Sequence, residues 1–265
     1  MDKPDHSRAT VLCDLDGVIW LAHNPISGSV EAVSRLRDAG FRVLFVTNAS
    51  FQTRESLEND LSRLGIEARG DVLTSAMAAA SLVRPGDSVL VCGGDGLHDE
   101  MTRRGARVHY AHEVDARSGV AFDAVVAGLY RDLTYEALDV AARAIRAGAR
   151  FIASNTDPVY PTENGPVPGG GSTVAALAVA SERQPEVAGK PHHPMATLVA
   201  DTCGVLDSRS SWMVGDRHDT DGAFARRLGV KFGHVLSGSV TDTGECAARS
   251  RDLWELSSII IEGMS

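Results

Sequence analysis

The sequence predicts an α/β fold built on a doubly wound parallel sheet. Short apolar runs bounded by turn residues alternate with amphipathic stretches, and this strand–helix alternation is typical of parallel sheets. Polar motifs follow several of the strand-like runs, at the positions where such sheets carry their active sites. The predicted strands cover residues 9–13, 41–46, 88–92, 124–127, 151–153, 212–214 and 230–236, and the predicted helices cover 30–36, 55–64, 75–82, 135–147, 173–181 and 222–228.

The first elements show how the pattern predicts them. Residues 9–13 form a continuous apolar run, as expected of a strand that is buried on both faces. In the stretch 30–36, Val30, Val33 and Leu36 recur on one helical face, and Gly40 follows as a candidate C-cap. The later segments repeat these two patterns.

Composition narrows the class of protein. The 265 residues are 43% hydrophobic, which is enough for a core and argues against disorder. The net charge of −9 provides no basic face for nucleic acid. No apolar run approaches the length of a membrane span, and the polar first ten residues contain no signal-peptide core. Four dispersed cysteines with no CxxC pair favour reduced thiols, so we expect a cytoplasmic protein.

Two turn clusters divide the chain. Residues 84–87 (RPGD) and 184–186 (QPE) are rich in turn formers, and the stretch between them has its own alternating elements. About 100 residues is a usual size for a domain. We therefore predict a discontinuous first domain, 1–86 and 187–265, with a second α/β domain at 87–186. The tail, 257–265, is predicted to be an end segment of uncertain order.

The most informative motif is Asp14-Leu15-Asp16-Gly17-Val18, directly after the first predicted strand. Because side chains alternate along a strand, Asp14 and Asp16 leave it on the same side, and Gly17 permits a sharp turn. One carboxylate can attack phosphorus to give an aspartyl-phosphate, while the other moves protons as general acid and base. A DxDG sequence in an ordinary surface turn is the alternative.

Two further motifs supply groups that suit a phosphate. Thr47 and Asn48 end a predicted strand, where a hydroxyl and an amide can donate to phosphate oxygens, although either residue can equally cap a helix. Lys190 lies between Gly189 and Pro191, so its ammonium is held on a fixed loop and can neutralise Asp14 and a phosphoryl group. A solvated surface lysine is the alternative.

The fourth motif is acidic. A predicted buried strand ends at Gly215, and Asp216, Asp219 and Asp221 follow within six residues. Magnesium prefers oxygen ligands, and Asp14, Asp216 and the backbone carbonyl of Asp16 would supply part of its shell. The alternative is an acidic helix N-terminus, which the helix dipole favours.

Taken in order, these motifs resemble the NagD and para-nitrophenyl phosphatase branch of the haloacid dehalogenase (HAD) superfamily. Further marks of that branch are LTSA at 73–76, NTDP at 155–158 and PGGGS at 168–172. The resemblance implies a Rossmann-like HAD core with an α/β cap inserted between the second and third motifs, and homodimers that pair through the cap. It also implies the site roles: Asp14 as nucleophile, Asp16 as acid/base, Thr47 and Lys190 as phosphate contacts, Asp216 as a magnesium ligand and Asp221 as its support.

The chain departs from this pattern near the predicted substrate pocket. It has TNASF at 47–51 where relatives that act on pyridoxal phosphate resemble TNNSR, and Tyr160 where relatives often have an imidazole. We therefore expect a different substrate, with Phe51, Asp157 and Tyr160 as candidate contacts. The prediction is a magnesium-dependent hydrolase of a small phosphate ester. A phosphotransferase or phosphomutase on the same core, and a non-catalytic phospho-accepting module, stay open as alternatives.

Overall fold

The computed structural model describes residues 9–115, 119–238 and 244–263. Its strands and helices follow in chain order. The strands are β1 (Thr10–Cys13), β2 (Trp20–Leu21), β3 (Asn24–Pro25), β4 (Arg42–Thr47), β5 (Val72–Thr74), β6 (Ser88–Cys92), β7 (Arg107–Tyr110), β8 (Ala124–Ala127), β9 (Arg150–Ala153), β10 (Val159–Tyr160), β11 (Val167–Pro168), β12 (Glu186–Val187), β13 (Trp212–Gly215), β14 (Lys231–Val235) and β15 (Ala248–Ser250). The α-helices are α1 (Ser29–Asp38), α2 (Arg54–Arg63), α3 (Ser75–Ser81), α4 (Asp95–Arg103), α5 (Tyr135–Arg146), α6 (Gly170–Ser181), α7 (His193–Cys203), α8 (Ala223–Leu228) and α9 (Leu253–Glu262).

A six-stranded parallel sheet has the order β15-β14-β13-β1-β4-β5. The chain starts at the central strand β1, builds outward through β4 and β5, and later returns to the other side of β1 with β13. The strand order thus reverses at β1, which is the point where ligands bind in open α/β sheets.

A second parallel sheet of five strands has the order β12-β9-β8-β6-β7. Most of it lies within residues 87–186, but β12 extends it to Val187, one residue past the predicted division. One apolar cluster connects the two sheets and includes Leu12 and Met213 on one side and Val89 and Val126 on the other. The two sheets therefore share part of their core.

The α/β fold class and every predicted strand and helix are confirmed, with ends that differ by up to three residues. Several helices begin with a side-chain cap: Thr53, Thr74 and Thr134 each accept from the backbone N–H three residues later. The elements not predicted from the sequence are strands β5, β7, β12 and β15, the short hairpins β2–β3 and β10–β11, and helices α4, α7 and α9.

The prediction for the tail was wrong as far as Gly263, the last residue described in it. Asp252 caps the start of helix α9, because its side chain accepts from the backbone N–H of Glu255 at 2.9 Å. Leu253, Leu256 and Ile260 are fully buried against the core, so packing holds this segment in place. Among the described residues, no helix is both long and apolar enough to cross a membrane.

Candidate active site

Three of the four sequence motifs lie at the carboxyl edge of the six-stranded sheet, and the fourth, Lys190, reaches the same place from the loop after β12 of the second sheet. Asp14 follows β1, Thr47 ends β4, and Asp216 follows β13. A cleft of about 510 Å³ opens above them. It is lined by nine of the ten predicted site residues: Asp14, Asp16, Thr47, Asn48, Phe51, Asp157, Tyr160, Lys190 and Asp216. The tenth, Asp221, lies beneath the cleft and contacts Lys190.

Lys190 lies between two buried carboxylates. Its Nζ is 2.8 Å from Asp14 Oδ1 and donates to Asp221 Oδ1 at 2.7 Å. Burial alone would lower the pKa of Lys190, but the two carboxylates outweigh that effect and hold its pKa above the ordinary value. The lysine is therefore a fixed positive charge beside Asp14, and not the solvated surface cation that was the alternative.

Asp14 is held mainly through one of its two oxygens. Besides Lys190, the backbone N–H of Leu15 donates to Asp14 Oδ1 at 2.8 Å. Within the described residues, Oδ2 accepts no hydrogen bond, so this oxygen is available to a phosphorus atom or a cation. Cys13, the preceding residue, is buried in the apolar core.

Gly17 shapes the loop that carries the second carboxylate. Its φ is +81°, and an added Cβ would lie 2.6 Å from the carboxylate of Asp216. A side chain here would therefore be strained and would also press on Asp216. Without one, the backbone turns directly after Asp16, as the motif predicts.

Asp16 lies at the cleft with a single side-chain hydrogen bond from the described residues. The indole Nε1 of Trp20 donates to Asp16 Oδ1 at 3.2 Å. Burial raises the pKa of Asp16 to about 6, although the bond from Trp20 opposes this shift. A carboxyl group with this pKa can both hold and release a proton near neutral pH.

Three carboxylates form the acidic part of the site. Oxygens of Asp14, Asp216 and Asp221 all lie within 4.8 Å of one another. Burial, together with the charges of Asp221 and Asp14, raises the pKa of Asp216 to about 8. A single ammonium does not balance three carboxylates, and an all-oxygen donor set suits a hard divalent cation. These residues therefore fit magnesium.

Thr47 and Asn48 differ in how much of their hydrogen-bonding capacity is free. Thr47 Oγ1 accepts from the backbone N–H of Ala49 at 3.0 Å, which leaves its own proton to donate. Asn48 Oδ1 accepts from the backbone N–H of Lys190 at 2.8 Å, and Asn48 Nδ2 donates to the Lys190 carbonyl and to Asp157 Oδ2. A phosphate contact from Asn48 would compete with these bonds, so its phosphate role stays a prediction.

The predicted substrate contacts lie around the mouth of the cleft. Burial raises the pKa of Asp157 and raises that of Tyr160 to about 12. The guanidinium of Arg131 lies over the ring of Phe51, 4.6 Å from its centroid. Arg131 belongs to the predicted second domain, 87–186. It brings a cation to the mouth of the cleft, although the TNASF segment itself contains no basic residue.

The sequence analysis missed three groups near the site. Trp20 follows Asp16 by four residues, and that spacing was the available signal. Arg217 lines the cleft and pairs with Asp219 through hydrogen bonds of 3.0 and 2.6 Å. Asn155 donates to the Asn48 carbonyl at 2.8 Å, and its place in the NTDP motif was the signal for it.

A second group of possible metal ligands, His218, His234 and Cys246, lies behind Asp216. Arg249 Nε donates to Nδ1 of His234, and Nε2 of His234 lies 3.1 Å from the backbone oxygen of Asp216. Both ring nitrogens of His234 are thus engaged, and a cation would have to displace one of these bonds. The arrangement anchors the backbone at Asp216.

Comparisons with known families and proteins agree with this geometry. Residues 11–107 match the haloacid dehalogenase-like hydrolase family, and residues 187–253 match the HAD-hydrolase-like family. Over 233 residues the chain is 40% identical to the D-glycerol 3-phosphate phosphatase of Mycobacterium tuberculosis, covering 86% of this chain and 63% of that protein. The chain thus spans less than two thirds of that relative. It is 35% identical over 234 residues to the acid sugar phosphatase of Staphylococcus haemolyticus, covering 87% and 86% of the two chains.

Solved structures agree over nearly the whole chain. The crystal structure of glycerol phosphate phosphatase from Mycobacterium tuberculosis in complex with magnesium superimposes with a TM-score of 0.82 at 35% identity, covering 98% of this chain and 80% of that one. The p-nitrophenyl phosphatase from Archaeoglobus fulgidus gives a TM-score of 0.84 at 28% identity, covering 95% and 99%.

Proposed function

The chain belongs to the haloacid dehalogenase-like hydrolase family, and from that premise we propose that it is a magnesium-dependent phosphatase of small phosphate monoesters. The observation that carries the proposal is the ammonium of Lys190, fixed 2.8 Å from Asp14 and 2.7 Å from Asp221 at the floor of the cleft. A buried cation beside a carboxylate with one unbonded oxygen suits attack on an anionic phosphoryl group.

The first chemical step forms an aspartyl-phosphate. An Asp14 oxygen bonds to phosphorus, and the bond between phosphorus and the ester oxygen breaks. The leaving oxygen takes a proton from Asp16, whose pKa of about 6 lets part of the population carry that proton near neutral pH. Lys190 and the hydroxyl of Thr47 donate to the phosphoryl oxygens, and Lys190 offsets their charge beside Asp14.

The second step releases phosphate. Asp16, now a carboxylate, takes a proton from water while the water oxygen bonds to phosphorus, and the bond to Asp14 breaks. The same residue thus gives a proton in one step and takes one in the next. Asp221 keeps Lys190 in place through both steps, because its Oδ1 accepts from Nζ.

Asp14 and Asp216, with the backbone carbonyl of Asp16, would hold the magnesium ion. When bound, it supplies positive charge beside the phosphoryl oxygens. The acidic cluster supports this assignment, as does the magnesium bound to a relative of similar structure. Asp221 contributes by holding Lys190, and its second oxygen lies 3.3 Å from the backbone N–H of Arg217.

We assign the leaving group to the polyol and sugar class. The relatives named for glycerol 3-phosphate and for acid sugars support this class. Residues 87–186 are the proposed cap, which would choose the leaving group, with Phe51, Asp157 and Tyr160 as contacts. Pairing of two caps in a homodimer and a cytoplasmic location are further proposals; the free thiols of all four cysteines support the location.

The test is phosphate release from p-nitrophenyl phosphate and glycerol 3-phosphate, with magnesium and with a chelator. We expect release that requires the metal and that Asp14→Asn reduces by a factor of about 1,000 or more. Adding a second alcohol as acceptor separates hydrolysis from transfer, because a phosphotransferase would give a new ester in place of phosphate. Wild-type activity retained in Asp14→Asn would contradict the assignment of the nucleophile.

A further inference from the structure

Trp20 fixes the orientation of the proposed acid/base group. Its indole Nε1 donates to Asp16 Oδ1 at 3.2 Å, and its ring is 1% exposed within the apolar cluster under the sheet. Within the described residues, Asp16 Oδ2 accepts no hydrogen bond, and Asp16 lines the cleft. The bond to Trp20 therefore decides which carboxyl oxygen is left to face a leaving group.

The turn after Trp20 has an unusual backbone. Ala22 has φ +50° and His23 has φ +65°, and these two residues connect strands β2 and β3. A two-residue hairpin turn with both φ values positive favours Asn-Gly, because a Cβ is disfavoured in this region. Such a conformation persists where other contacts require it, and it is a reason to examine what His23 touches.

His23 connects Trp20 to the proposed cap. Its ring stacks on Trp20 with centroids 5.6 Å apart and planes at 30°. Its Nε2 lies 3.3 Å from the hydroxyl of Tyr160. Beside it, Asn24 donates to Glu163 at 3.3 Å. We call residues 159–168 the cap loop; it carries both Tyr160 and Glu163.

These contacts form one chain from the cap loop to the cleft: Tyr160, His23, Trp20 and Asp16. We propose that Trp20 is a positioning residue for Asp16, and that Tyr160, through His23, holds Trp20 in that role while the cap loop lies over the substrate. The inference rests on the proposed function, because it assumes that Asp16 protonates the leaving oxygen. The unfavourable backbone of Ala22 and His23 is then the energetic cost of placing the His23 imidazole between Trp20 and the cap loop.

The proposal predicts a dependence on the leaving group. Glycerol 3-phosphate releases an alkoxide that needs a proton, whereas p-nitrophenolate is stable without one. Misplacing Asp16 should therefore slow formation of the aspartyl-phosphate from the first substrate far more than from the second. General loss of structure would impair both by the same factor.

The first experiment compares kcat/KM for the two substrates in Trp20→Phe, which keeps a buried ring and removes the N–H. Because kcat/KM excludes the shared hydrolysis step, we expect its value on glycerol 3-phosphate to fall about tenfold more than its value on p-nitrophenyl phosphate. Trp212→Phe is the matched control, because Trp212 is also buried and lies on β13 away from this loop. Equal loss on both substrates in Trp20→Phe would overturn the positioning role.

The second experiment separates the contact from the turn. His23→Gly relieves the positive φ and removes the imidazole, so we expect an unchanged or higher Tm together with selective loss on glycerol 3-phosphate. Ala22→Gly relieves the same kind of strain and keeps His23, so its substrate ratio should equal that of the wild type. Tyr160→Phe should shift the ratio in the same direction by a smaller factor. A wild-type ratio in His23→Gly would overturn the role of the cap loop.

An NMR measurement on Trp20 tests the contact chain without requiring catalytic activity. The indole N–H proton of Trp20, followed by NMR, should exchange with solvent about tenfold faster in His23→Gly than in Ala22→Gly. Equal exchange in both variants would contradict the contact chain. Failure of the wild type to hydrolyse either ester would refute the proposed function while leaving this measurement interpretable.

Discussion

The carboxyl edge of the six-stranded sheet and the cap loop line the same cleft, but they present different groups to it. The sheet edge, together with the loop that carries Lys190, presents charges that are almost fully buried: Asp14, Lys190 and Asp216 are 8%, 3% and 5% exposed, and Asp221 beneath them is 0% exposed. The cap loop presents Val159, which is 47% exposed, and Tyr160, both on a two-residue strand.

This difference indicates that the two regions have separate roles, the first in catalysis and the second in substrate contact. Buried charges that hold one another in place need little rearrangement when a phosphoryl group arrives, which is the condition for strong electrostatic stabilisation. A short hairpin with partly exposed side chains is easier to change without loss of the core. The comparison predicts large effects on kcat from the sheet edge and small effects on KM from the cleft mouth.

The largest effect should come from Lys190→Met. Removing the ammonium leaves Asp14 and Asp221 as neighbouring buried carboxylates without their counter-charge. We expect kcat to fall about 1,000-fold and the free energy of unfolding to drop by about 3 kcal/mol. Steady-state kinetics and urea unfolding measure the two quantities.

Lys231→Met is the matched control for that change. Lys231 lies over the ring of Trp212 at 5.1 Å, outside the cleft. Its replacement should leave kcat unchanged. If Lys190→Met kept wild-type kcat, the predicted difference between the sheet edge and the cleft mouth would be contradicted.

An intermediate effect should appear in the pH dependence of magnesium binding. In the metal-free protein the pKa of Asp216 is raised to about 8, so the cation must displace a proton below that pH. The association constant should then rise by up to about tenfold per pH unit and level off above about pH 8. Calorimetric titration in buffers of different ionisation enthalpy would count the released proton, and an affinity independent of pH would argue against Asp216 as a ligand.

The same raised pKa has a consequence for stability. The stabilising effect of protonated Asp216 is complete below its unfolded pKa of about 3.9 and is lost as the pH rises to about 8. The Tm of metal-free protein should therefore fall over this interval, and excess magnesium should reduce the fall. Asp216→Asn, which cannot ionise, should show a shallower decline.

The smallest effect should come from Phe51→Ala at the cleft mouth. The loss of the ring removes an apolar wall and the surface under Arg131, which we estimate at about 1 kcal/mol of binding. KM for p-nitrophenyl phosphate should rise about fivefold with kcat nearly unchanged. Tyr135→Ala is the control, because Tyr135 is 83% exposed and does not line the cleft. A fall in kcat without a change in KM would place Phe51 with the catalytic groups instead.

The sequence was sufficient to predict the groups on the sheet edge. Asp14, Thr47 and Asp216 each follow an apolar run, and parallel strands bring such positions together whatever their distance along the chain. Lys190 was predicted only through its motif and the resemblance to a family. The described contacts with Asp14 and Asp221 now supply the physical reason for that motif.

The contacts between the two predicted domains could not be predicted from strand ends or from motifs. Asn48 bonds Asp157 across 109 positions, and His23 meets Tyr160 across 137, and no periodicity relates such pairs. Gly96 is a similar case. A Cβ there would lie 2.1 Å from the backbone oxygen of Gln52. The glycine therefore lets α4 approach residues 50–52, which line the cleft.

Helix α9 was missed for a different reason. Its signal was local, since Asp252 and Glu255 have the spacing of a capping box and Leu253, Leu256 and Ile260 share a face. Terminal segments are often poorly ordered, and this general tendency favoured the other interpretation. Packing against the core decides the outcome, because α9 contacts α1 and β15.

The most direct test of the account is to identify the residue that carries the phosphoryl group. Enzyme mixed with substrate and quenched in acid within one turnover would be reduced with borohydride, which converts an aspartyl-phosphate to homoserine, and then digested for mass spectrometry. The account predicts homoserine at position 14, dependent on substrate and absent from Asp14→Asn. Phosphate release by an enzyme that shows no such change, or shows it at another acidic residue, would contradict the assignment of Asp14 as the nucleophile.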